Sequence, residues 1–174
     1  GANDPAQAIE LLEKGIAANP DDSELYLRLG FVYYWYLKDY KQAANIFLQG
    51  SDRAKGKPWF RTMAAFALSR GGDRATSQFL WKQIYESSEN KRAKENALAH
   101  LAELQAEDQI EALEKVTAKF REQSGRWPLS FIELATRGYL RGIPLDPSGV
   151  AYLLDPESGK VYVSADTKLQ IVPK

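Results

Sequence analysis

The stretch SELYLRLGFVYYWYLKDYKQAANIF at residues 23–47 decides the fold. Its first part carries apolar and small residues at helical spacing, namely Tyr26, Leu29, Gly30 and Tyr33. A second helix is predicted to begin at Asp39, because an acidic N-cap followed three positions later by Gln42 is a helix-start pattern. That helix carries Ala43 and Phe47 at helical spacing. The pattern predicts two packed helices, with small residues allowing close approach and large ones filling the space between them.

The same kind of pattern precedes this stretch, at Ala8, Leu12, Gly15 and Pro20. Together the two patterns resemble the tetratricopeptide repeat (TPR), a helical hairpin of about 34 residues. In that repeat the first helix carries an aromatic residue, Leu, Gly and Tyr, and the second carries Ala, a bulky apolar residue, a small residue and Pro. Residues 5–20 resemble a second helix, so we expect the first repeat to be truncated.

Further helices are predicted downstream. Residues 58–70 form the first helix of another unit, Gly71-Gly72-Asp73 its turn, and Ser77, Trp81 and Ile84 mark its second helix. Residues 91–105 and 108–123 are predicted to form one more helical pair. One extra residue near Tyr36 lengthens the turn between two helices. The expected fold is therefore mainly α, a TPR-like α-solenoid of antiparallel helix pairs over residues 1–123.

The resemblance to TPR proteins implies a concave groove lined mainly by the first helix of each repeat. Carried onto this sequence, the groove and its neighbouring cations comprise Leu27, Arg28, Phe31, Tyr34, Trp35, Trp59, Phe66 and Arg70. One interpretation is that the aromatic residues form the floor of a site for a peptide or protein segment. The other is that they pack against a neighbouring repeat or against the C-terminal segment. Periodicity alone favours neither.

Residues 124–174 have a different character and are predicted to form a small α+β module that caps the repeats. Ser130 and Glu133 predict a helix start, and Gly138 predicts its end. Strands are predicted at Val150–Leu154 and Lys160–Ser164, with a further one at Leu169–Val172.

Several motifs in this region are similar to the globular head of major pseudopilins of type II secretion: Gly125-Arg126-Trp127-Pro128, Gly138-Tyr139-Leu140, Pro144-Leu145-Asp146-Pro147-Ser148-Gly149 and Tyr152. The resemblance implies a bacterial protein in an extracytoplasmic location, anchored by a missing N-terminal segment. It also implies calcium ligands among Asp146, Asp155, Glu157 and Asp166. The alternative role of these carboxylates is to form turns.

Composition narrows the functional classes. The 174 residues include 23 basic and 23 acidic side chains, no cysteine and one histidine, His100. Balanced charge disfavours nucleic acid as a partner, and the missing thiols and single imidazole leave no catalytic residues, metal site or cofactor to propose. The longest apolar run, Phe31–Leu37, is too short to insert into a membrane. We therefore expect a non-enzymatic scaffold that binds another protein or peptide segment. The alternative is a structural component of an extracytoplasmic secretion, pilus or envelope assembly, and the oligomeric state is left open.

Overall fold

Helices make up most of the computed structural model, which describes residues 4–53 and 57–169. The chain divides into two compact units, an N-terminal unit of residues 1–98 and a C-terminal unit of residues 99–174. The helices are α1 (Pro5–Ala18), α2 (Ser23–Phe31), α3 (Tyr40–Arg53), α4 (Trp59–Arg70), α5 (Arg74–Ser87), α6 (Lys91–Ser124) and α7 (Phe131–Thr136). A π-helix (Val32–Leu37) continues α2, and the strands are β1 (Leu153–Leu154) and β2 (Val161–Tyr162).

Helix starts in the N-terminal unit are set by aspartate caps. Asp39 accepts a hydrogen bond from the backbone N–H of Gln42 at 3.0 Å, and Asp73 accepts one from Thr76 at 3.1 Å. These bonds satisfy amide donors that have no partner within the first helical turn. The predicted start of α3 and the predicted turn before α5 are confirmed.

The core of the N-terminal unit is built by helices that pack on their neighbours in sequence, α1 on α2 through to α4 on α5. Phe47 of α3 is buried and lies directly over Gly30 of α2, where a Cβ atom would come within 2.2 Å of the ring. The ring also packs edge-on against Phe31, with centroids 5.6 Å apart. Glycine at position 30 is therefore what lets α2 and α3 approach closely.

The extra residue near Tyr36 does not lengthen a loop. It is absorbed in the π-helix Val32–Leu37, which ends at Lys38 in the left-handed conformation with φ 53°. A π-helix accommodates an additional residue within a continuous helix, because its hydrogen bonds span one more residue than α-helical ones. The predicted longer turn is corrected to a wider helical turn.

The predicted helical pair at 91–105 and 108–123 is wrong, because one continuous helix, α6, spans Lys91–Ser124. This segment contains neither glycine nor proline, so nothing local ends the helix between the two predicted halves. The second half of α6 packs with the C-terminal elements, through Leu113 and Phe120. As a result, the compact units divide at Leu98 and Ala99, earlier than the predicted boundary after Gln123.

The C-terminal unit packs α7 and the strands on this half of α6. Its hydrophobic core comprises Leu113, Phe120, Phe131, Leu134, Tyr152 and Val161. As predicted, the Ser130 hydroxyl caps α7 by accepting the Glu133 N–H at 3.2 Å, and Gly138 follows the helix with φ 80°. The predicted hairpin is confirmed in shortened form: β1 and β2 are antiparallel, with Leu153 opposite Tyr162.

Two expectations concern the remaining parts of the chain. The strand predicted at Leu169–Val172 lies, apart from Leu169, outside the described residues. None of the helices within residues 4–53 and 57–169 combines the length and apolar character needed to cross a bilayer.

Candidate protein-binding surface

Four of the side chains on the N-terminal unit form what we call the Trp35 surface: Tyr34, Trp35, Tyr40 and Arg70. The Tyr34 ring packs edge-on against Trp35 and against Tyr40, with centroid distances of 4.8 Å and 5.2 Å. Arg70 donates a hydrogen bond to Tyr40, and this bond, with the nearby Tyr34 and Tyr40 phenols, raises the pKa of Arg70. The contacts join the π-helix, the start of α3 and the end of α4. A permanent cation thus lies beside the Tyr34 and Tyr40 side chains.

The π-helix leaves several large apolar side chains at the surface. Trp35 is 65% exposed and Tyr36 is 68% exposed, and Leu37 beside them is also exposed. Scattered apolar residues are common on protein surfaces, but here an exposed indole packs against a neighbouring ring, that of Tyr34, at 4.8 Å. Of the residues predicted for the groove, Trp35 is the most exposed aromatic one.

The other aromatic residues predicted for the groove are half-buried. Three of them pack a ring against a core aromatic residue: Phe31 on Phe47 at 5.6 Å, Trp59 on Phe60 at 4.0 Å and Phe66 on Trp81 at 5.1 Å. These rings therefore contribute to the interior of the unit as well as to its surface.

The remaining predicted residues, Leu27 and Arg28, lie on α2. Leu27 is half-buried, and Arg28 is exposed and paired with Glu24 at 2.9 Å. Direct contacts thus connect Tyr34, Trp35 and Arg70 of the predicted set. Sequence reasoning missed Tyr40, which links Tyr34 to Arg70, and Tyr36. The signal for Tyr36 was the extra residue, which marked a local departure from the repeat.

Two of the four carboxylates considered as calcium ligands, Asp146 and Asp155, are engaged in turns. Asp146 accepts hydrogen bonds from the backbone N–H groups of Ser148 at 2.8 Å and Val150 at 3.0 Å, and from the Thr167 hydroxyl. Burial raises the pKa of Asp146, but these hydrogen bonds outweigh it and lower the pKa below its ordinary value. Asp155 holds the next turn by accepting from the Ser158 hydroxyl and the Glu157 N–H. Within residues 4–53 and 57–169, no three acidic or histidine side chains are grouped so as to hold a metal ion.

His100 lies within α6 and is half-buried. Its Nδ1 atom is 2.8 Å from Oε2 of Glu103, one helical turn away. An imidazole paired with a carboxylate on the same helix is a common helix-surface arrangement.

The geometry of α1 to α5 is that of packed helical hairpins. Residues 1–66 match the family model of the tetratricopeptide repeat. The match covers α1, α2, the π-helix, α3 and most of α4, and supports the TPR resemblance of this part of the chain. TPR repeats generally mediate protein–protein interactions and are typically non-enzymatic. No curated protein and no solved structure matches the chain significantly.

Proposed function

We propose that this protein is a non-enzymatic scaffold whose TPR-like repeats bind an extended or helical segment of another protein. The predicted groove residues are Leu27, Arg28, Phe31, Tyr34, Trp35, Trp59, Phe66 and Arg70. The observation that carries the proposal is the Trp35 surface, where an exposed indole packs against Tyr34, and Tyr34 in turn packs against Tyr40 next to Arg70.

Trp35 supplies the apolar part of this binding. Since its side chain is 65% exposed, a partner that covers it removes roughly 150 Å² of apolar surface from water. At about 25 cal/mol per Å², this burial is worth up to about 4 kcal/mol before the costs of association. The edge-on contact with Tyr34 restricts the indole on one side, which reduces the side-chain freedom lost on binding.

Arg70 supplies the polar part. A guanidinium group has five N–H donors, more than the Tyr40 oxygen accepts, so donors remain for a partner's carbonyl or carboxylate groups. The interaction with Tyr40 places the guanidinium next to the Trp35 surface's aromatic residues. The surface therefore favours a segment with an apolar anchor next to an acceptor group.

The test is selection of peptides from a display library that contains extended and helical segments, followed by affinity measurement for three proteins. We expect Trp35→Ala to lower the affinity for the selected peptides by about 30-fold, which corresponds to the loss of a binding hot spot of about 2 kcal/mol. The matched control is Phe79→Ala, which removes an aromatic residue that is 59% exposed on α5, outside the predicted groove.

The control should retain the affinity within about twofold, and far-ultraviolet circular dichroism should be the same for all three proteins. Equal binding by wild type and Trp35→Ala would contradict the proposal. So would equal losses in both variants, or failure of the library to yield any specific peptide.

A second candidate function rests on the C-terminal unit, which carries its own exposed apolar residues. Leu153 and Tyr162 pair across the hairpin and are 52% and 53% exposed. Leu129 and Ile132, at α7, are also exposed. These residues support the alternative that this unit docks in an extracytoplasmic secretion, pilus or envelope assembly, as its resemblance to pseudopilins suggests.

This alternative predicts that Leu153→Thr/Tyr162→Thr removes the protein from its assembly, whereas Trp35→Ala leaves it there. Threonine keeps a β-compatible side chain and removes the apolar surface. Point substitutions are preferable to truncation after Gln123, which would uncover Phe120. Co-fractionation of the protein with the cell envelope is the readout, and retention of the double variant would argue against the alternative.

A further inference from the structure

The C-terminal unit has a cleft between α6 and the end of α7, and the hairpin residues Leu153 and Tyr162 are not among its lining residues. It has a volume of about 370 Å³ and is lined by Val116, Lys119, Gln123, Arg137, Gly138 and Tyr139. Ligand sites in proteins usually span about 300–1,000 Å³. The cleft is thus large enough for a small molecule.

Two of the lining residues are cations. Among the described residues, Lys119 has no hydrogen-bonding or ion-pair partner. Arg137 contacts one carboxylate, with its Nε atom 3.3 Å from Glu133. This concentration of positive charge contrasts with the balanced charge of the whole chain.

The charge of Glu133 does not cancel this positive charge, because Arg126 already neutralises it. Arg126 donates to both carboxylate oxygens, at 2.5 Å and 3.1 Å, and the Leu129 N–H donates to one of them at 2.9 Å. These bonds lower the pKa of Glu133 to about 2, so it stays ionised and paired with Arg126. Lys119 and Arg137 together therefore leave a charge of about +2 at the cleft.

The walls of the cleft are held in place by packing. The Phe120 ring lies beneath, with the Arg137 guanidinium carbon 5.6 Å from its centroid and the Tyr139 ring packed edge-on at 5.3 Å. The Tyr139 hydroxyl donates to Oε1 of Gln123. Since that oxygen is occupied, the NH₂ group of Gln123 is the part of its amide available to an acceptor in the cleft.

We propose that this cleft binds a soluble phosphate monoester. A phosphate monoester carries a charge of about −1.5 to −2 at pH 7, which matches Lys119 and Arg137. Its oxygens accept from these two cations and from the Gln123 amide, since charge-assisted bonds to Arg and Lys are the strong ones. The organic group lies along Val116 and the Tyr139 ring, which form the apolar part of the lining.

Phenyl phosphate is a suitable probe, added to the full chain and followed by amide chemical shifts and calorimetry. We expect saturable shifts at Val116–Gln123 and at Gly138, weaker binding of inorganic phosphate and benzoate, and no shifts with benzyl alcohol. Lys119→Gln should lower the affinity for phenyl phosphate by at least about tenfold. Lys115→Gln is the matched control, because Lys115 lies on the same helix, pairs with Glu111 at 2.8 Å and does not line the cleft.

Arg137→Gln should weaken binding to a similar extent. Lys119 is free of internal hydrogen bonds to described residues, so Lys119→Gln tests the site without disturbing the fold. Three results would overturn the proposal: no saturable shift at the cleft, equal weakening by Lys115→Gln, or binding that is unchanged by Lys119→Gln. Flotation with phosphatidic acid vesicles, using phosphatidylcholine vesicles as the control, separates a soluble ester from a lipid headgroup. Binding to phosphatidic acid vesicles but not to phenyl phosphate would also overturn the proposal.

Discussion

The close contact between Gly30 and Phe47 makes a quantitative prediction about stability. Gly30→Ala adds a methyl group 2.2 Å from the Phe47 ring, whereas carbon atoms in contact are normally about 3.5–4 Å apart. The ring, buried and packed between Phe31 and Phe60, has little room to move. Overpacking of this kind costs about 1–3 kcal/mol, and alanine recovers about 1 kcal/mol of helix propensity. For an enclosed ring we expect the upper end of the cost, and hence a net loss of about 2 kcal/mol.

The assay is urea unfolding by far-ultraviolet circular dichroism, with hydrogen exchange of α2 and α3 reporting the N-terminal unit separately. A double-mutant cycle with Phe47→Leu identifies the cause, because removing ring atoms relieves the clash. The double variant should be more stable than the sum of the single effects by at least about 1 kcal/mol.

Gly15→Ala is the control, since its added methyl would lie 3.2 Å from the flexible end of Leu25. It should leave stability unchanged or increase it by up to about 1 kcal/mol, the helix propensity gained by alanine. A neutral Gly30→Ala, or additive effects with Phe47→Leu, would refute the packing argument.

Three further predictions concern the C-terminal unit. Thr117→Val should destabilise this unit by about 1–2 kcal/mol and Thr117→Ser by less, as measured by hydrogen exchange of the hairpin. The reason is that the buried Thr117 hydroxyl lies 2.8 Å from the Gly159 carbonyl, and valine leaves that carbonyl unpaired. Folding lowers the pKa of Glu133 from 4.5 to about 2, chiefly through Arg126, so its stabilisation is complete above pH 4.5 and is lost as the pH falls toward 2. Glu133→Gln should therefore make the urea midpoint depend less on pH over that range. An unchanged pH profile would contradict the stabilising role of ionised Glu133. Asp146→Ala should cost about 2–3 kcal/mol through lost turn hydrogen bonds, and millimolar calcium should not raise the melting temperature of the wild type. A rise abolished by the substitution would instead establish a calcium site.

Helix starts were predictable because capping is local chemistry. Asp39, Asp73 and Ser130 each accept a backbone N–H within the next three residues, and such a pair can be read from sequence spacing. The turn after α7 was predictable for a similar reason, since Gly138 adopts the positive φ that glycine tolerates best.

The candidate surface was predictable only in part. The repeat positions indicated Tyr34, Trp35 and Arg70 as neighbouring surface residues. Tyr40 contacts both Tyr34 and Arg70 and so connects them. It belongs to α3, whereas Tyr34 lies in the π-helix and Arg70 in α4. Periodicity describes one helix at a time, so it contains no information on which residue of a second helix completes a site.

Two features were settled by tertiary structure. Residues 91–124 were predicted to form two helices although no glycine or proline ends one there, and the structure shows a single helix that spans the boundary between the two compact units. Near Tyr36, sequence revealed an extra residue but not its conformation. Helix formation and capping depend on residues a few positions apart, so local sequence determines where most helices begin. The exposure of Trp35 and the packing of the second half of α6 in the C-terminal unit depend on contacts between residues distant in sequence, and only the folded chain brings those residues together.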